Sequence, residues 1–113
     1  MNGEEAVALL STMTDKVELI KRDNSDKFWC YKLKNGSRAE FAFDPNTKTK
    51  LIIRFDRAIP EMDGVSDMQS LKGKSASTAL ERVFSGGKNI ARFKSNIETH
   101  GALKAVIENL AQQ

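Results

Sequence analysis

The sequence predicts an α+β domain in which a mainly antiparallel sheet, a β-meander of about four strands plus a later fifth strand, is covered on one face by two or three helices. Three observations predict it. Residues 27–55 alternate apolar and polar side chains with the period of a strand, and turn formers at Asn35-Gly36 and Asp44-Pro45-Asn46 cut that stretch into three. Both ends of the chain repeat apolar residues with the period of a helix instead. With 113 residues the chain is long enough for one core and too short for two, so residues 1–113 are read as a single domain.

Taken in order, residues 3–13 place Ala6, Val7, Leu9, Leu10 and Met13 at helical spacing. Glu4 and Glu5 stand in the first turn, where the positive end of the helix dipole favours carboxylates. Thr14-Asp15 interrupts the pattern. Residues 16–22 fit a continued helix or a strand; Val17 and Ile20, with the turn-forming Asp23-Asn24-Ser25-Asp26 behind them, favour a strand hairpinned to residues 27–34.

On the next hairpin, Trp29, Tyr31 and Leu33 share one face with Ala39, Phe41 and Phe43, while Phe28, Cys30, Lys32 and Lys34 share the other with Arg38, Glu40 and Ala42. A two-residue turn at Asn35-Gly36 sets Trp29 beside Ala42 and mixes the faces. A three-residue loop, Lys34-Asn35-Gly36 with Gly36 left-handed, sets Trp29, Tyr31 and Leu33 beside Phe41, Ala39 and Ser37 and is the preferred register. Leu51, Ile53 and Phe55 extend the apolar face onto the following strand.

Residues 57–74 are the least regular stretch, with Pro60, Gly64 and Gly73. So long a connection inside a small domain is expected to be functional or mobile, or to hide a short strand or helical turn. Residues 75–85 are predicted helical, with an apolar stripe at Ala76, Ala79, Leu80, Val83 and Phe84 and a stop at Gly86-Gly87. Residues 88–95 form a strand candidate with Ala91 and Phe93 on one side. From about 98 to 111, Leu103, Val106, Ile107 and Leu110 trace a helix seam that Asn96 or Thr99 can cap.

Composition narrows the function classes. Hydrophobic residues at 40% and charged residues at 29% are ordinary for a globular chain, so disorder of the whole is not expected. A single cysteine excludes an internal disulfide. No apolar run approaches the length of a membrane span, and no secretory leader pattern opens the chain, so the expected location is the cytoplasm and no membrane partner is expected. A net charge of +3 permits a polyanionic partner without demanding one.

The residues that carry chemistry are few. With one histidine, His100, and one cysteine, Cys30, no zinc ligand set forms, and no nucleophile or paired-carboxylate motif stands in a supporting context. No cofactor, metal or catalytic residue is predicted, and the chain is read as a small non-catalytic binding module. Its leading candidate surface is the outward sheet face, where Lys32, Lys34, Arg38 and Arg54 would contact phosphates and Phe28 would stack on a base. The same pattern also fits a solvated, lysine-rich face that guards against edge pairing. A second candidate is Lys72-Gly73-Lys74-Ser75 leading into a helix, where backbone N–H groups attract anions. It is not a nucleotide-hydrolysing loop, because Met68 falls where the first glycine should. The competing expectation is a protein-interaction or self-associating accessory domain, including a homodimer, with Phe28, Ile52, Met62 and Met68 in an apolar contact and no nucleic acid. Burial of Cys30, which alternates with Phe28 and Lys32, would mean a sheet covered on both sides and a basic surface misplaced.

Overall fold

The computed structural model describes residues 1–23, 27–71, 83–85 and 91–113. Within them the chain runs through helix α1 (Gly3–Leu10), strands β1 (Val17–Arg22), β2 (Trp29–Leu33), β3 (Glu40–Phe43), β4 (Ile52–Phe55), β5 (Val65–Ser70) and β6 (Phe93–Ile97), and helix α2 (His100–Gln112). The strands form one antiparallel sheet in the order β1-β2-β3-β4-β6-β5. The α+β class stands, with a sixth strand. β5 lies inside the irregular 57–74 stretch, where Asp67 at φ 53° and a register shift between Ser66 and Gln69 hide the strand period from the sequence. β6 begins later than the predicted 88–95 strand, and residues 88–90 lie outside the described residues.

Both helices begin where their caps dictate. Asn2 and Glu5 form a reciprocal capping box on α1, and Ser11–Met13 close in turns rather than further helix. Thr99 caps α2 by accepting a hydrogen bond from Ala102 N–H at 3.0 Å. The predicted seam of Leu103, Val106, Ile107 and Leu110 is buried, joined by Ala102. It packs with Ala6 and Leu10 of α1 over Tyr31, Phe41, Phe43, Ile53 and Phe55. Tyr31 stacks between Phe41 and Phe43, with centroids 5.6 Å from each.

The β2–β3 register corrects the expected three-residue loop. Trp29 opposes Phe43 and Tyr31 opposes Phe41, so residues 34–38 form the connection. The displacement is two residues, which keeps each side chain on its expected face. The cause is tertiary. Ser37 N–H and Oγ both donate to Leu110 O of the last turn of α2, at 3.3 and 2.7 Å, satisfying a carbonyl the helix cannot pair internally. Gly36 at φ 62° approaches so closely that a Cβ there would sit 1.9 Å from Ala111 O.

The expectation of cover on one face only is also corrected. Among the described residues, Phe28, Cys30, Ala42, Val83, Phe84 and Ala91 make a second buried cluster on the side of the sheet opposite α1 and α2. Of the predicted 75–85 helix only residues 83–85 are described, and Val83 and Phe84 belong to this cluster. Ala91, expected beside Phe93, belongs to it as well.

Candidate functional site

The second face is built from cross-strand rows. Lys32 is set between Glu18 of β1 and Glu40 of β3, its register partners. The next row runs Lys21, Cys30, Ala42, Arg54, Lys94 and Gln69 from one edge of the sheet to the other. Direct cross-strand partners point to the same side, so Arg54 and Lys94 stand as like charges on neighbouring strands. Among the described residues neither has a carboxylate within salt-bridge distance, the recorded ion pair being Arg57 with Asp56 at 3.0 Å.

Phe28, expected to offer its ring to a base, is only 6% exposed. Its ring instead meets the Arg54 guanidinium, 5.1 Å from the centroid. Burial pulls the Arg54 pKa down from its ordinary value, as desolvation disfavours the cation. Lys34 and Arg38 are exposed but sit on the 34–38 loop at the end of α2, where Arg38 Nη1 donates to Lys34 O at 3.4 Å. The predicted residues are therefore dispersed, and the structure adds Lys94 as the neighbour of Arg54. Lys72, Lys74 and Ser75 lie outside the described residues. Of the apolar set expected for a protein contact, Phe28 is sealed, Ile52 is half-buried, and Met62 and Met68 pack partly against the main core.

Glu40 closes this face beside the cations. It is 7% exposed, and its carboxylate accepts from Ser85 N–H at 2.8 Å and from Ser85 Oγ. The Cys30 thiol donates weakly to the same carboxylate at 3.8 Å. Desolvation, then the Glu40 charge, push the Cys30 pKa far above the ordinary thiol value, so the group is an inert core thiol. His100 is exposed in the first turn of α2. Among the described residues no cluster of three or more His, Cys, Asp and Glu side chains is arranged to hold a metal ion, and no helix is long and apolar enough to cross a membrane.

No protein family, curated protein or solved structure matches this chain.

Sequence reasoning missed two features. Lys94 emerged only once β6 was found beside β4, a long-range pairing that no local pattern encodes. Trp29 lies on the apolar face that alternation predicts, but not deep within it. It lies near the sheet margin, half-buried, with the Arg22 guanidinium 4.1 Å above its ring.

Proposed function

We propose that this chain is a small non-catalytic binding module for a polyanion, nucleic acid first among them, and that Arg54 and Lys94 carry the contact. The single supporting observation is their placement opposite each other on β4 and β6, half-buried and without a carboxylate partner among the described residues. Like charges directly opposed across strands cost stability, and a phosphate between them replaces repulsion with two charge-assisted contacts. Phe28 serves this site by supporting Arg54 from beneath, not by stacking on a base. Lys32, held between two glutamates, contributes little; Lys34 and Arg38 belong to another part of the surface.

The test is fluorescence anisotropy of labelled single-stranded and duplex DNA and RNA at low and near-physiological salt. Binding should be saturable and fall with salt. The Arg54→Gln/Lys94→Gln pair should weaken it and reduce the salt slope by about 1.4 on a single strand, the share of two phosphates. A Lys34→Gln/Arg38→Gln control should leave both nearly unchanged. Absence of binding at low salt rules the reading out.

A further inference from the structure

The other side of the sheet carries a second recognition feature, independent of the cations at Arg54 and Lys94. Two clefts of about 480 and 380 Å³ adjoin along α1, sharing Val7 and Trp29 in their walls. The smaller has an apolar floor of Leu10, Val17, Trp29 and Tyr31. Leu19, 36% exposed and the exposed large hydrophobic among the described residues, stands at its rim. The larger continues past Trp29 to the turn at 45–48, where Asn46 and Thr47 supply polar groups.

The walls are fixed before any partner arrives. Gly3 N–H donates to Thr47 O at 2.9 Å, and a Cβ at Gly3 would lie 2.5 Å from Asp44 O and Pro45, so α1 is clamped against that turn. Such preorganisation lowers the entropic cost of docking.

Charge selects the occupant. Arg22 opposes Trp29 in register and lies over its ring, placing a cation at the junction of the clefts. Glu18 and Lys34 border the same cleft, but both alternate onto the Lys32 side of the sheet, which leaves Arg22 as the charge over the trough. In the larger cleft Glu4 and Lys48 offset each other. An apolar trough with a cation at its centre fits an apolar side chain bearing a neighbouring carboxylate. We infer that the groove between α1 and the Trp29 end of the sheet docks an extended segment of another protein in which an apolar side chain adjoins an acidic one, the first seated on Trp29 and the second paired with Arg22.

Trp29 is the only tryptophan in the chain, so its emission reports directly on the groove. The experiment titrates the full chain with three acetylated, amidated peptides, Leu-Glu-Leu-Glu-Leu, Leu-Lys-Leu-Lys-Leu and Ser-Glu-Ser-Glu-Ser, and with laurate and oligothymidylate. The inference expects a saturable emission change with the first peptide and at least tenfold weaker responses to the others. Arg22→Glu, an exposed substitution, should lose at least tenfold in affinity for the first peptide while its thermal melt stays near the parent's, and Val7→Asp should abolish the response. Equal affinity for the lysine peptide, tighter binding of laurate or oligothymidylate, or no emission change with any probe would overturn it.

Discussion

The face of the sheet under α1 and α2 and its opposite face bury side chains on the same strands, yet they differ in the charges set among those side chains. Under α1 and α2, Tyr31, Phe41, Phe43 and Phe55 join aliphatic residues from both helices in one continuous core. Each fully buried side chain there contributes about 1.5–3 kcal/mol through removal of apolar surface from water. On the far side, among the described residues, Phe28, Ala42, Val83, Phe84 and Ala91 cluster with Cys30, and the same strands carry Lys21, Arg54 and Lys94 in a row with no acid in it. One face is spent on stability. The other sets two cations, Arg54 and Lys94, directly opposite each other.

The contrast can be broken by substitution, and the largest effect should come from the first face. Phe41→Ala is expected to cost about 3–5 kcal/mol by urea titration, whereas Phe84→Ala, in a cluster of fewer described residues, should cost less, about 3 kcal/mol. Equal losses would mean that the two clusters are equally structural. Gly36→Ala comes next. Its left-handed backbone and the contact with Ala111 predict a loss of at least about 2 kcal/mol, with α2 fraying first in amide exchange.

The Glu40 contact tests how firmly the second face is closed. Glu40→Ala leaves Ser85 without its acceptor and should cost about 1–3 kcal/mol. Cys30, sealed in the parent, should then react with a thiol reagent about fivefold faster or more, since every 1.4 kcal/mol is about tenfold in population. Alkaline pH probes both faces at once. Burial raises the Cys30 pKa, and it raises Tyr31 to about 12, with Arg22 opposing. Each group holds its proton more tightly folded than unfolded, so their contributions are full below the ordinary thiol value of about 9 and fade as pH rises toward the folded values. Cys30→Ala should flatten the early part of that decline in thermal melts. The smallest effect has the opposite sign: in the absence of any anion, Lys94→Gln should stabilise the chain by about 0.2–1 kcal/mol through relief of the Arg54 contact.

What the sequence made legible follows the range of the interactions involved. The seam of α2, the capping residue Thr99, the turn at Asp44 and the faces of Tyr31 and Phe41 were readable because each is decided by neighbours a few residues away. The 34–38 loop was not, because its length is set by a carbonyl at Leu110, far along the chain. Lys94 is a candidate only through its pairing with Arg54, and Phe28 is buried in a cluster that includes residues 83, 84 and 91, distant in the chain. Alternation gives the side of a sheet on which a residue lies; it gives neither what covers that side nor how near a residue stands to the margin, which is why Trp29 was read as simple core.

The measurement that bears most directly on the difference between the faces is an amide chemical-shift map of the labelled chain titrated with oligothymidylate at low salt. The polyanion reading predicts shifts concentrated at Arg54, Lys94 and Gln69, fading as salt rises, with α1 and α2 undisturbed. Shifts centred on the helices or on the 34–38 loop, or none at all, would contradict it.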